Sequence, residues 1–452
     1  MNADRSRKAE SQQAQTLSVA LGPSYDLDLI QRGRQLRKFK QAFTPGELEN
    51  RIRASDYRQF RTVLSASTRE SLVADASALA KTFFSSPVGL KYHNRKGREI
   101  CTLPTFPAIL VLRKVAYNVN DVSGTVPSDR NRVVTVLLGA LKEEVRYRVY
   151  RLDIKRFFDS LLPARVEEQV ASLGVSQDTK QLLSAVLNEH ESYGRPGIPT
   201  GLSVSSPLAE AMMISFDHFL RTDPDVTFAA RFVDDIVVVT TGREDPISFR
   251  VRLKDHLPHG TSFNAKKNVT LDISEKSTTL QASSSFEYLG YRFRVRDTAN
   301  SSAPKNPKDV TRVVDVGLSE ASLHRYKSKL CKAFRAFVND NRFDDLLHRV
   351  LYLTSNYRLY DPRVGRKRLA GVYHNYPFLT HEAGSSLHLL DETLADLVHN
   401  SQALRAANGT LLSTQQRALL ARRSFVSGHR CKQYYSFSVK TLARIKRCWF
   451  DG

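Results

Sequence analysis

The chain has 452 residues, 41% of them hydrophobic, with 68 lysines and arginines against 46 aspartates and glutamates, a net charge of +22. That length is enough for two or three cores, and the hydrophobic share excludes wholesale disorder. The cationic excess runs through the whole chain and favours a polyanionic partner, and no apolar run approaches the roughly 18 residues of a membrane span.

Residues 1–25 are polar, rich in Ser, Gln and Ala, and close at Gly22-Pro23, which reads as an N-terminal arm. They lack the apolar core of a signal peptide, so the protein is expected in the cytoplasm and off the membrane. Cys101, Cys331, Cys431 and Cys448 show no CxxC spacing and are read as reduced thiols.

From Asp26 to about Ala80 the pattern is helical scaffold. Lys91 to Arg98, KYHNRKGR, is a basic loop before a strand. It is open to two readings, a grip on a template backbone or triphosphate and a plain solvated charge run. Ser128-Asp129 opens a helix through Leu141, with Arg130 and Arg132 at its start, where guanidinium and free backbone N–H groups can both meet phosphate. Simple surface arginines are the alternative.

Val145 to Ser160, VRYRVYRLDIKRFFDS, predicts a strand that delivers Asp153 at its end, followed by an aromatic pair and a helix start at which Asp159 is an N-cap. Gly194 to Met213 then alternates Pro and Gly through Pro196-Gly197-Ile198-Pro199-Thr200-Gly201, a rigid turn. Ser203, Ser205 and Ser206 are expected to cap the next helix. Thr227 to Thr240, TFAARFVDDIVVVT, predicts two short buried strands meeting at a turn that carries Asp234 and Asp235. Alone, that pair also fits a solvated hairpin tip. A third carboxylate from a neighbouring strand changes the balance, because buried acids need a compensating cation. Three acids at strand ends suit two Mg²⁺ ions about 3.5 to 4 Å apart, as in-line nucleotidyl transfer requires.

Downstream, Asn264 and Lys267 sit together, and a lysine there could protonate a pyrophosphate leaving group. Phe286 to Phe293, FEYLGYRF, reads as a strand with a glycine inside it or as a hairpin with core aromatics. Asn300 to Pro307 reads as a linker, and from about Leu318 the pattern turns helical. Arg363, Arg366, Lys367, Arg368 and a basic, tyrosine-bearing C-terminus suit phosphate contact and base stacking.

In this order the segments resemble a reverse transcriptase over roughly residues 90 to 295. Asp153 to Asp159 looks like the first catalytic motif, Gly197 to Glu210 the second, and Phe232-Val233-Asp234-Asp235 the third; Asn264 to Lys267 and Tyr288-Leu289-Gly290 resemble the fourth motif and the primer grip. The resemblance implies an α+β right-hand polymerase. Residues 26–145 would form fingers with N-terminal helices, 146–300 a palm with an antiparallel sheet, and 301–452 an α-helical, thumb-like domain.

The implied metal set is Asp153, Ile154, Asp234 and Asp235 around two Mg²⁺ ions, with Mn²⁺ as substitute. Asp153, Asp234, Asp235 and Lys267 would be catalytic. Phe158 would exclude a 2′-hydroxyl, and Thr200, Gly201, Arg130 and Arg132 would complete a deoxynucleotide site. Partners would be an RNA template, a DNA product and deoxynucleoside triphosphates.

Thr200 and Glu210 stand where the commoner pattern has Gln and Asn. With Ser205 to Glu210, Leu353 to Leu359 and Gly371 to Tyr376 they resemble the bacterial Abi and unknown-group reverse transcriptases associated with phage defence. Some of those relatives synthesise DNA untemplated, protein-primed or from a noncoding RNA, so a structured RNA, a second defence protein or a homo-oligomer enters as partner. The alternatives are an RNA-dependent RNA polymerase, an intron maturase and a binding scaffold without catalysis.

Overall fold

The computed structural model describes residues 41–53, 55–56, 66–84, 87–95, 97–125, 129–278, 282–299, 306–361, 366–399 and 412–450. The expected N-terminal arm, the first part of the expected helical scaffold, most of the expected 300–307 linker and Arg363 lie outside them. Contacts divide the chain into two compact units, Met1–Glu275 and Lys276–Gly452. The division falls ahead of residues 276–300, which the sequence reading groups with the palm.

In the first unit, helices α1 (Pro45–Glu49) and α2 (Ala66–Lys81) precede a hairpin of β1 (Lys91–Arg95) and β2 (Arg98–Thr102). The stretch expected as a basic loop is therefore mostly strand, paired from Lys91↔Thr102 to Arg95↔Arg98. Helix α3 (Phe106–Ser123) is the central core helix. Thr105 caps its start through the Ala108 N–H, Gly124 ends it with φ 63°, and most of the residues between are buried. Helix α4 (Arg130–Leu141) follows, capped by Asp129.

Next come β3 (Tyr147–Asp153), the single turn α5 (Phe157–Ser160), α6 (Pro163–Ser172), α7 (Gln177–Ser192), α8 (Ser205–Met212) and α9 (Ile214–Thr222). The hairpin β4 (Val226–Phe232) and β5 (Asp235–Thr240), helix α10 (Pro246–Asp255) and β6 (Val269–Ile273) complete the unit. The strands form one antiparallel sheet in the order β4-β5-β3-β6.

Alternation splits this sheet into two faces. Tyr150 and Leu152 of β3 and Ile154 just after it join Ile236 and Val238 of β5 in the core built with α3, α7 and α8. The opposite face carries Val149, Arg151 and Asp153 beside Val239, Val237 and Asp235. Helix α4, with Val133, Val134, Leu137 and Leu141 buried, packs against β4, and Leu141 accepts a hydrogen bond from the Tyr147 hydroxyl at 2.7 Å. One face of the sheet thus makes core while the other is free to carry charge at its end.

Two expected caps are absent. Helix α8 starts after Val204 without a side-chain cap, and the Ser205 hydroxyl donates instead to the Pro199 carbonyl, pinning the Pro-Gly turn. Asp159 is no N-cap either. The cap residue of α5 is Arg156, in the left-handed region, and Asp159 pairs with its guanidinium at 3.0 Å.

In the second unit β7 (Ser284–Tyr288), β8 (Tyr291–Ala299) and β9 (Val310–Leu318) form a three-stranded antiparallel sheet. The FEYLGYRF stretch is therefore a hairpin and no continuous strand, turning at Leu289 (φ 49°) and Gly290 (φ 78°). Helices α11 (Glu320–Asp340) and α12 (Phe343–Thr354) follow as their apolar periodicity predicts. A hairpin of β10 (Asn356–Asp361) and β11 (Arg366–Gly371) then interrupts the region expected to be all helix. After it come α13 (Val372–Asn375), α14 (Ser386–His399), α15 (Thr414–Ala421), α16 (Phe425–Arg430) and α17 (Val439–Phe450). Among the described residues no helix is long and apolar enough to cross a membrane.

Asn356 joins these pieces. Its amide donates to the Gly428 and Gln433 carbonyls at 3.1 Å each, and its side-chain oxygen accepts from the Tyr373 N–H at 2.9 Å. Gly428 lies so close to Thr354 that an added Cβ would strike the Thr354 carbonyl. Gly428→Ala is expected to destabilise the second unit by roughly 2 kcal/mol or more, as overpacking against backbone does; denaturant unfolding followed by Trp449 fluorescence measures it.

Candidate active site

The register of β3 on β5 pairs Asp153 with Asp235, bringing two carboxylates onto one face at one end of the sheet. Phe232 pairs with Asp235 across β4 and β5, which leaves Val233 and Asp234 as a two-residue hairpin loop. Val233 takes φ 62°, a conformation that a β-branched residue rarely adopts. The Ile154 N–H donates to the Asp234 carbonyl at 3.1 Å, so the loop is tied to the strand that carries Asp153. Ile154 itself is buried.

Asp153 is the most enclosed acid of the set, its side chain 8% exposed. The segment after α10 runs beside it. The Asn264 N–H donates to the Asp153 carbonyl at 2.7 Å and the Asn264 amide to one carboxylate oxygen at 3.1 Å. The Lys267 ammonium meets the other carboxylate oxygen at 2.9 Å, and Asn268 accepts from the Asp153 N–H at 3.3 Å. Sequence spacing alone did not reveal that Asn264 orients Asp153. The signal is its place at the end of a loop running back along the strand.

Asp235 is paired differently. The Arg151 guanidinium meets it at 2.9 Å and also donates to the Lys267 carbonyl at 2.9 Å. Arg151 therefore links the acidic hairpin to the lysine-bearing loop. The sequence reading missed it, although its place two residues before Asp153 puts it on the same face.

Asp234 is half-buried, and that burial pushes its carboxyl above the usual carboxylate range. Its own backbone N–H pulls the other way, the charge of Asp153 adds to the rise, and Lys267 and Arg98 oppose it. Arg98 belongs to β2, so the basic hairpin contributes positive potential at the acids, which no local pattern disclosed.

The second motif packs around the same neighbourhood. Gly197 (φ 72°) lies directly on the backbone of Phe158 and Asp159, and the Ile198 N–H donates to the Phe158 carbonyl at 3.0 Å. The Thr200 carbonyl accepts from the Cys101 N–H at 2.7 Å, and Gly201 (φ 108°) lies against Ile100 and Cys101, where a Cβ would collide. Phe158, Thr200 and Gly201 are thus joined with β2 through one glycine-rich turn. Arg130 and Arg132 stand on the first turn of α4, a separate element. There Asp129 takes the N–H groups of Asn131 and Arg132, so those amides are not open to phosphate.

Comparison with known proteins agrees with this arrangement. Residues 112–293, which include α4, all the acids and the Asn264–Lys267 loop, match the family model described as reverse transcriptase (RNA-dependent DNA polymerase). The match covers the segment that carries the acids, and the fold of mixed helices and antiparallel sheets is α+β, as expected. Among solved structures the chain is similar to "apo telomerase from Candida Tropicalis truncated from C-terminal domain", at 15% identity and a TM-score of 0.31. The match covers 49% of this chain and 58% of that one, so it spans little more than half of the telomerase structure. No curated protein matches the sequence.

Asp234 gives the candidate site a pH response, and its sign follows from the burial of the carboxyl. Asp234 binds its proton more tightly when folded than unfolded, so its contribution to stability is present at low pH and lost as pH rises through the folded pKa. Lys267→Met removes a charge that lowers this pKa. A carbon-13 carboxyl titration is expected to show the Asp234 midpoint moving further up in that variant; an unchanged midpoint would detach Lys267 from the site.

Proposed function

We propose that the chain is a DNA polymerase of the reverse transcriptase type, extending a 3′-hydroxyl with deoxynucleotides by two-metal nucleotidyl transfer. The observation that carries the reading is the Asp153–Asp235 register pair with Asp234 in the adjoining turn, inside the segment that matches the reverse transcriptase family.

The donor set fits a hard divalent cation. Among the described residues no group of three or more His, Cys, Asp or Glu side chains is gathered as a ready-made metal cage. Mg²⁺ seldom uses such a cage, taking one or two carboxylates together with waters and substrate phosphates. Asp153 and Asp234 would supply those carboxylates; burial first, and the charge of Asp153 after it, hold the Asp234 carboxyl above its usual range, which a bound cation would relieve. Asp235, held by Arg151, would stand behind them. Bound Mg²⁺, or Mn²⁺ in its place, would lower the pKa of the attacking hydroxyl and offset charge on the phosphate.

The chain's own groups do the rest. Asn264 and the strand end fix Asp153. Lys267, more than half exposed, would turn from Asp153 to the triphosphate and give its proton to the departing pyrophosphate. Phe158, set by Gly197 and Ile198, would face the sugar and exclude a 2′-hydroxyl, with Thr200 and Gly201 shaping the pocket. The net charge of +22 supports a nucleic-acid partner.

We assign the activity to bacterial defence against phage, with a noncoding RNA template or with untemplated or protein-primed synthesis. That assignment rests on the resemblance carried by Thr200, by Ser205 to Glu210 and by Leu353 to Leu359. Sequencing the nucleic acid that accompanies the protein from cells distinguishes these modes. A bound structured RNA indicates templating, and DNA joined to a side chain indicates self-priming.

Asp234→Ala is expected to abolish incorporation while leaving nucleic-acid binding near wild type, measured by primer extension and by filter binding; unchanged synthesis would refute the site. Phe158→Ala is expected to admit labelled ribonucleotides that the wild type rejects. A wild type that prefers ribonucleotides would identify an RNA polymerase instead.

A further inference from the structure

Arg231, near the end of β4, is buried, and every donor of its guanidinium is used. Nε donates to Asp217 Oδ1 at 2.9 Å and Nη2 to Asp217 Oδ2 at 2.6 Å. Nη2 also donates to Glu210 Oε2 at 2.6 Å, and Nη1 to Glu210 Oε1 at 3.2 Å. The fifth N–H, on Nη1, donates to the Val233 carbonyl at 3.1 Å. A guanidinium has five donors in one rigid plane, so two carboxylates that take four of them fix the direction of the last. Although burial disfavours the charge, Asp217 and Glu210 keep Arg231 protonated.

That last donor falls on the strained residue of the loop. Val233 at φ 62° costs on the order of 1–3 kcal/mol unless its surroundings hold it. The carbonyl that Arg231 holds is the one joined to the Asp234 nitrogen. One carboxylate would neutralise Arg231; the second adds no charge balance and instead fixes the plane of the fork.

We propose that Glu210 on α8 and Asp217 on α9 are positioning residues which, through Arg231, hold the Val233–Asp234 peptide in its left-handed turn and so set the orientation of Asp234. This rests on the polymerase reading. The device ties the helix pair after the Pro-Gly turn to the turn that carries Asp234.

Two variants test it. Glu210→Gln keeps size and replaces two charged acceptors with one neutral oxygen and an amide donor that opposes the fork; incorporation is expected to lose about tenfold in kcat with the deoxynucleotide KM nearly unchanged, the pattern of lost geometry and not lost binding. Hydrogen exchange at the 233–235 amides is expected to quicken. The combined Arg231→Met, Glu210→Gln and Asp217→Asn variant leaves no buried charge, so it is expected to melt near wild type while kcat stays low. A wild-type kcat in either folded variant, or a lower kcat without faster exchange at the turn, overturns the positioning role and leaves the polymerase reading standing. A wild-type protein that incorporates nothing overturns both.

Discussion

The pairing register of β3 on β5 is the constraint on which the candidate site depends. Because side chains alternate, a slip of one residue would turn Asp153 into the core and expose Leu152 and Ile154. The slip is resisted by the core itself. Tyr150, Leu152 and Ile154 are each at most 1% exposed and pack with Ile236 and Val238. Each such side chain contributes roughly 1.5–3 kcal/mol by burial, so a register error would cost several times any single interaction among the acids. The apolar face of the sheet therefore specifies where the polar face puts its charges.

Those charges are arranged with graded compensation. Asp153, the most buried acid, has both an amide and an ammonium on its oxygens. Asp235 has the Arg151 guanidinium. Asp234, in the turn, has its own backbone N–H and the charges of Lys267 and Arg98, and burial still leaves its carboxyl raised. The acid that burial leaves raised is thus the one carried on the loop. Lys267 reaches the enclosed Asp153 from a side chain that is more than half exposed, whereas Arg151 is largely enclosed. The same local charge balance therefore contains one movable cation and one fixed one.

Much of this was legible in the sequence. Runs of β-branched residues bounded by Asp153 and by Asp234-Asp235 disclosed the strands, the turn and the neighbourhood of the acids, because period-2 patterning and buried charge are both local signals. The helices from residue 320 onward were equally plain. What failed was local chemistry decided by distant partners. Asp159 and the serines around the start of α8 have cap-forming side chains, yet Arg156 and the Pro199 carbonyl claim Asp159 and Ser205. The β10–β11 hairpin was missed for a similar reason. Its start is specified by Asn356, whose partners lie 17 to 77 residues away in the chain. Arg151 and Arg231 carry no local signal, because their partners are brought to them by strand pairing and by helices α8 and α9.

Arg231 also shows why Glu210, an oddity in the sequence, is consistent with an intact site. A buried arginine beside the turn that carries Asp234 needs acceptors of defined direction, and an asparagine at 210 would offer a single oxygen where Glu210 presents two to the fork. The loop it supports is unfavourable in itself, with valine in the left-handed region, so the turn could relax if its carbonyl were released. Strain in the loop and a fully saturated guanidinium behind it are two sides of one arrangement: the first makes the position of Asp234 conditional, and the second supplies the condition. A residue that departs from the commoner family pattern can therefore be part of how this chain holds its carboxylate, and is no sign that the chemistry has been lost.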